Sequence, residues 1–323
     1  MTGPPPATAA LRVAVRRSVA DLPAGTLVLA AVSGGADSLA LASALAFERP
    51  GSGAVVVDHR LQAGSAQVAD RAAQLCRGLG LSATVLTGSD PSEQDPVGQD
   101  PVGQAQAGQG PEGRARTLRY ALLEQAARNQ GAVAVLLGHT LDDQAETVLL
   151  GLARGAGARS LSGMAPVRGR WRRPLLGLRR AQTRQACVEA GLTPWEDPHN
   201  QDPAYARVRV RTEVLPGLEL ALGPGIAEAL ARTAGQLRED ADALDALTTP
   251  TGDVATLAAL PPALRARALK AWAEQGAGRP VTSVQVTALR ALVEDWRGQG
   301  PVALAGGATV RRTGASLALV PGG

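Results

Sequence analysis

Along the first half of the chain, short runs of small and apolar residues alternate with longer stretches of helix formers. The runs at 27–32, 54–57, 81–86 and 132–137 are too short for helices and are bounded by glycine or polar turns, so they predict buried strands. Residues 36–47, 67–79, 113–128 and 143–152 carry apolar positions at helical spacing and predict the intervening helices. Strand and helix alternating in this way predict an α/β fold, a doubly wound parallel sheet with helices on both faces. Beyond 223 the pattern changes. A long helix is expected at 226–247, helices continue to 296, and runs at 302–304, 308–312 and 317–320 between glycine turns predict a short antiparallel sheet. The organisation expected is an N-terminal extension (1–24, Pro-rich and then weakly helical), a first domain (25–217), and a smaller, mainly helical C-terminal domain (224–323). Residues 88–113 interrupt the first domain. They repeat DPVGQ in tandem, are dominated by Pro, Gly and Gln, and predict a disordered surface insertion.

Composition adjusts this picture in a few places. Aromatic residues make up 2% of the chain, so the cores must be filled by Leu, Val and Ala. Cys76 and Cys187 are far apart and form no CxxC, which argues against a disulfide framework or a thiolate zinc site. His59, His139 and His199 form no HExxH pair, which argues against a zinc hydrolase. There is no uninterrupted apolar run long enough to span a membrane and no signal-peptide pattern at the start, so the cytoplasm is the expected compartment. Net charge is only +4, yet residues 154–211 hold twelve arginines against four acids, so the rest of the chain is net acidic. Such a block suggests a polyanionic partner; a solvated basic face is the plain alternative.

The chemistry concentrates in the turn after the first strand. Ser33-Gly34-Gly35-Ala36-Asp37-Ser38 carries the chain from a strand into a helix, where the first helical N–H groups lack partners. Glycines let the backbone curl and let a ligand approach, so the turn reads as a phosphate site, with Ser33 and Ser38 adding hydroxyls. Asp37 is out of place beside a phosphate unless Mg²⁺ lies between them; otherwise it is an acid complementing the helix dipole. The common P-loop is excluded, because the chain contains no Gly-Lys pair. A cradle of backbone amides without a lysine favours reaction at the α-phosphate. Further on, Asp142, Asp143 and Glu146 stand where a strand meets a helix, with Asp143 and Glu146 on one face. They suit Mg²⁺, an ammonium group, or simply a capping box.

The hexapeptide resembles the SGGxDS signature of the PP-loop ATP pyrophosphatases, whose fold is Rossmann-like. With it go VDH at 57–59, RARTLRY at 114–120, LLGHTLDDQAETVLLGLARGAGARSLSGM at 136–164, RPLL at 173–176 and TPWEDPHNQDPAYARVRVRTEVLP at 193–216. In this order and spacing they resemble the tRNA(Ile)-lysidine synthetases over about residues 26–216. The resemblance implies a two-step reaction. The wobble cytidine of a CAU-anticodon tRNA(Ile) is adenylated by ATP, and free lysine then displaces AMP to leave lysidine. It implies ATP and Mg²⁺ as cofactors, no membrane, and a homodimer as one option. By residue, it implies Ser33, Gly34, Gly35, Ala36, Asp37, Ser38, Asp58, His59 and His139 toward the nucleotide, with Asp37 toward the metal. Asp143 and Glu146 are assigned to lysine, and Asn200 and Arg207 to catalysis. Arg114, Arg154, Arg172, Arg173, Arg207 and Arg211 are assigned to RNA, within a footprint that also includes Arg168, Arg170, Arg179, Arg180 and Arg184. The C-terminal domain is expected to help recognise the tRNA.

Three positions depart from the resembled pattern: Thr140 where a second histidine is frequent, Val208 for an asparagine, and Arg60 within VDHRLQ for a glycine. Two other readings stand beside this one. A PP-loop tRNA thiolase would need a relay cysteine or an iron–sulfur cluster, and both cysteines lie outside the motifs. A non-catalytic tRNA-binding protein would have little reason to keep Asp37, Asp143, Glu146 and Arg207 together. GMP and asparagine synthetases would need a glutamine-hydrolysing domain for which the chain has no motif.

Overall fold

A run of Val, Ala and Leu with no polar alternation can satisfy its backbone only between neighbouring strands and under helices on both faces. The computed structural model describes residues 3–58, 60, 64–88 and 111–322, and there the predicted runs form such a sheet. In chain order, the first unit contains α1 (Pro6–Ser18), β1 (Val28–Val32), α2 (Ala36–Glu48), β2 (Gly53–Asp58), α3 (Ser65–Gly78), β3 (Ser82–Thr87), α4 (Pro111–Asn129), β4 (Ala134–Leu136) and α5 (Leu141–Leu152). It continues through α6 (Ala158–Leu161), β5 (Val167–Arg168), β6 (Trp171–Arg172), α7 (Arg180–Glu189), α8 (Ala206–Arg209) and α9 (Leu215–Leu222). The sheet order is β3-β2-β1-β4-β6-β5. Every pairing is parallel except β5 with β6. The expected doubly wound sheet is therefore observed, and its order reverses between β1 and β4.

Side chains alternate across the strands even though both faces are buried. Val28, Ala30, Val32, Val56 and Leu136 join the core under α1, α2, α3 and α7. Leu29, Val55 and Val135 join the opposite core, which α4 fills with Tyr120 and Leu123. Tyr120 meets Trp171 edge to face, with ring centroids 5.1 Å apart. Helix α1, ahead of residue 25, buries Leu11 and Val15 in the first of these cores and packs on α2 and α7. Of the insertion expected at 88–113, residues 89–110 lie outside the described residues, whereas Pro111 to Gly113 already belong to α4.

The chain divides into two compact units, Met1–Gln236 and Leu237–Gly323. Helix α10 (Ile226–Ala246) is followed in the second unit by α11 (Val254–Ala259), α12 (Pro262–Ala277), α13 (Ser283–Glu294) and three strands, β7 (Val302–Ala303), β8 (Thr309–Thr313) and β9 (Ser316–Val320). The strands form the expected antiparallel sheet. Its core is built from Leu257, Leu269, Leu289, Leu292, Val310 and Leu317.

Candidate active site

The turn Ser33–Ser38 leaves the carboxyl end of β1 at the point where the strand order reverses, the usual place for a ligand crevice in such sheets. Gly34 takes φ +88°, a value that a side chain would make costly. Gly35 caps α2 without any side-chain hydrogen bond, so the helix's first N–H groups are left for a ligand. The hydroxyl of Ser38 has a different task from the one expected. It accepts from the Ser33 N–H at 3.1 Å and donates to the Gly35 carbonyl at 2.9 Å, closing the loop on itself. The loop also has neighbours on two sides. The Trp195 N–H donates to the Gly34 carbonyl at 2.9 Å, which brings the 193–200 segment against the turn. Past the end of β4, a Cβ on Gly138 would lie 3.2 Å from the Asp37 carbonyl and the Ser38 nitrogen, tighter than an ordinary contact, so glycine eases the close approach of this segment to the first turn of α2.

Helix α5 starts at the same edge. Thr140 is its N-cap and Asp143 its N3 residue, in a reciprocal capping box: Asp143 Oδ2 accepts from the Thr140 N–H and hydroxyl, each at 2.8 Å. The capping reading of Asp143 is thus correct for one carboxylate oxygen. The other faces a guanidinium, with Arg180 Nη2 donating to Asp143 Oδ1 at 2.9 Å. Glu146, one turn on, has 0% side-chain exposure. It accepts from Arg211 at 2.7 and 3.1 Å and from both terminal nitrogens of Arg180 at 3.3 Å, and Arg207 Nε lies 3.7 Å away. Arg207 also donates to the Thr147 hydroxyl at 3.4 Å. Arg207 and Arg211, four residues apart where α8 continues through a π turn at Val210–Val214 into α9, share a face. Arg209 points elsewhere, to the carbonyls of Pro203 and Ala204.

Asp37 joins this network. Its Oδ1 accepts from the Thr183 hydroxyl, and its Oδ2 lies 3.6 Å from Arg180 Nε. Burial pushes the Asp37 carboxyl above the ordinary carboxylate range, and Thr183 and Arg180 oppose this. For Asp143 burial also pushes upward, but Arg180 and the Thr140 donors outweigh it and hold the carboxyl low. Arg180 is raised, because the surrounding carboxylates overcome its burial. His139 follows Gly138. Burial, followed by the nearby Arg173, Arg119 and Arg116, holds it well below its usual range despite Asp143, so it is neutral at pH 7. Its Nδ1 has no hydrogen-bond partner among the described residues.

Other expected site residues are placed as follows. Asp58, at the end of β2, spends Oδ1 on the Arg60 N–H at 3.0 Å and so shapes the next turn. His59 lies outside the described residues, as do the side chains of Arg114 and Asn200. Arg154 is exposed just past α5. The RNA assignments of Arg172 and Arg173 need correction, since both are buried. Arg172 grips Asp21 through two bonds of 2.5 and 2.7 Å and also donates to the Ser18 carbonyl, tying β6 to the end of α1. Arg173 donates to the Ala165 carbonyl at 2.9 Å. The wider footprint thins for the same reason. Arg170 and Arg179 are half-buried beside acids, Arg180 sits in the acidic cluster, and Arg168 and Arg184 remain exposed. Cys187, placed outside the motifs by sequence, lies against the turn and donates to the Ala36 carbonyl at 3.3 Å. Burial pushes the thiols of Cys76 and Cys187 up to about 11, so neither supplies a thiolate at neutral pH. Sequence reasoning missed Arg180 as a site residue, along with Thr183 and Gly138.

A glycine turn without a lysine at the switch point of a parallel sheet, faced by carboxylates and arginines, defines a PP-loop ATP-binding domain. A family model described as a PP-loop domain matches residues 10–218, and one described as the TilS substrate binding domain matches residues 253–317. A tRNA(Ile)-lysidine synthase of Thermobifida fusca is 53% identical over 97% of each chain. Another, from Streptomyces coelicolor, is 47% identical over 99% of this chain and 100% of its own. The chain belongs to the tRNA(Ile)-lysidine synthase family, and ATP is accordingly its nucleotide substrate. The U34-tRNA thiolase NcsA from Methanococcus maripaludis, solved with its 4Fe-4S cluster, shares the fold alone: TM-score 0.57, 18% identity, over 72% of this chain and 80% of that one.

Proposed function

We infer that the chain joins free lysine to C2 of the wobble cytidine of a CAU-anticodon tRNA(Ile). In the first step the cytidine O2 attacks the α-phosphorus of ATP, and the bond to pyrophosphate breaks. In the second, an amine of lysine attacks C2, the C2–O bond breaks, and AMP leaves. A tRNA substrate puts the reaction in the cytoplasm. The observation that carries this reading is the convergence of Asp37, at the glycine turn, with Asp143 and Glu146 around the shared guanidinium of Arg180, in a chain of this family.

The residues divide the work. Backbone N–H groups at the start of α2 bind the phosphates, and Gly34 gives them room. Arg207 and Arg211 serve to stabilise charge developing on the transferred phosphorus. Asp143 and Glu146 provide the negative surface for an ammonium group. The neutral His139 offers a hydrogen bond without adding charge. Among the described residues no group of three His, Cys, Asp or Glu side chains converges on a metal site. Mg²⁺ does not need one, because it takes one or two carboxylates together with substrate phosphates and water. Asp37 at the mouth of the turn fits that role. When bound, Mg²⁺ would neutralise phosphate charge during AMP transfer.

Labelled lysine supplied with ATP and a CAU-anticodon tRNA(Ile) transcript tests the reading, with tRNA-bound lysine and pyrophosphate both measured. Incorporation that depends on the C34 base is expected. Asp37→Asn should abolish pyrophosphate release while tRNA affinity stays within about twofold. Pyrophosphate release without lysine incorporation would point instead to another PP-loop modification.

A further inference from the structure

Helix α7 lies outside every motif used above, yet its first turn reaches into the cluster. The Arg180 backbone N–H donates to Asp142 Oδ2 at 2.7 Å, and the Leu141 N–H donates to the Leu178 carbonyl at 2.9 Å. The starts of α5 and α7 are thereby latched together. From that fixed base the guanidinium, 17% exposed, touches three carboxylates from two other elements: Asp37 of α2 at 3.6 Å, Asp143 of α5 at 2.9 Å and Glu146 of α5 at 3.3 Å. Thr183, one turn along α7 and fully buried, holds the second oxygen of Asp37. Among the described residues no other arginine of the cluster makes an ion pair with Asp37: Arg207 and Arg211 pair with α5, and Arg211 acts on Asp37 only through its charge.

We propose that Arg180 is a positioning residue that fixes the distance between the carboxylate serving the nucleotide, Asp37, and the carboxylates serving the amine, Asp143 and Glu146. This rests on the reaction inferred above and assigns to α7 the task of keeping the two half-reactions in register. The fork shape of the guanidinium matters, because Nε faces Asp37 while the terminal nitrogens face Asp143 and Glu146. A lysine ammonium is a point charge and would satisfy one side at a time. Register of this kind affects rate more than affinity, since misplacement of about 1 Å costs roughly 100-fold in rate.

The test uses the full chain with Arg180→Gln and Arg180→Lys, in single-turnover reactions that time pyrophosphate release and lysine incorporation separately. For Arg180→Gln both rates should fall by about 10- to 100-fold. KM for ATP and for lysine should change less than about threefold, the signature of an interaction made in the transition state. Arg180→Lys should recover one step and not the other. Wild-type rates in Arg180→Gln, or a defect confined to KM, would overturn the proposal, as would equal recovery of both steps by lysine. If Arg180→Gln does not fold, Arg180→Lys decides alone: unequal loss of the two steps supports the proposal, and parental rates refute it. A parent chain that makes no lysidine would instead refute the inferred reaction, an outcome read before any variant is compared.

Discussion

Glu146→Gln perturbs the centre of the cluster with almost no change in volume. The carboxylate has 0% side-chain exposure and is held by Arg211 at 2.7 and 3.1 Å and by Arg180 at 3.3 Å. The amide can still accept one N–H from Arg211, but its NH₂ then faces the second guanidinium nitrogen, donor against donor. Removing one partner of a buried ion pair costs about 3–5 kcal/mol. Arg180 and Arg211 retain 17% and 26% exposure, so water recovers part of that loss and the lower end, about 3 kcal/mol, applies. At about 2–4 °C per kcal/mol for a unit of this size, Tm should fall by roughly 6–12 °C in a circular dichroism melt. Glu124→Gln is the control. Its partners Arg128 and Arg170 are 68% and 31% exposed, and pairs this open to water contribute at most about 1 kcal/mol each. In the kinetic arm, pyrophosphate release should survive in Glu146→Gln while lysine transfer slows. A melt within about 2 °C of the parent would refute the electrostatic reasoning. Equal loss of both chemical steps would refute the assignment of Glu146 to the amine.

Three further outcomes follow from the geometry. Gly138→Ala forces a methyl to 3.2 Å from the Asp37 backbone, so it should cost about 1–3 kcal/mol in denaturant unfolding and lower the adenylation rate together with it. Arg172→Ala should lower Tm by breaking the Asp21 pair while tRNA affinity stays within about twofold; Arg184→Glu, at an exposed position, should weaken tRNA binding and reduce its salt slope by about 1. His139 stays neutral when folded, so below its unfolded pKa of about 6.5 the unfolded chain gains a proton that the native chain does not. Stability should therefore fall by about 1.4 kcal/mol per pH unit below that point, and this component should vanish in His139→Gln melts compared between pH 7.5 and 5.

What sequence could reveal was set by how local each cause is. The strand of 27–32 and the turn after it were legible because a strand's apolar run, a glycine pair and a helix start are adjacent in the chain. The β5–β6 hairpin was not, since its strands are two residues long and Arg172, read as a surface charge, is buried by a partner 151 residues away. Arg180 was counted among exposed charges for the same reason: its partners come from α2 and α5. The pairing of Arg207 with Arg211 was obscured by Arg209 between them and by a π turn that no local pattern announces. Cys187 has no motif around it, and only folding carries it to the carbonyl of Ala36.

The three departures from the resembled pattern show how the fold absorbs change near a site. Thr140, in place of a frequent histidine, is the N-cap of α5, and its hydroxyl holds the oxygen of Asp143 that does not face Arg180. The exchange trades an imidazole for a residue that caps helices well and leaves the other Asp143 oxygen for the cluster. Val208, in place of an asparagine, is buried between Arg207 and Arg209, so an apolar residue there packs against the unit without disturbing the arginine at either side. Arg60 is the costly one. It takes φ +52°, the only described residue other than glycine with positive φ, at a position where the pattern has glycine. A side chain in that conformation costs roughly 1–2 kcal/mol, and the bond from the Arg60 N–H to Asp58 offsets part of it. Position 60 therefore keeps the backbone shape that glycine would adopt freely, and Asp58 holds it there.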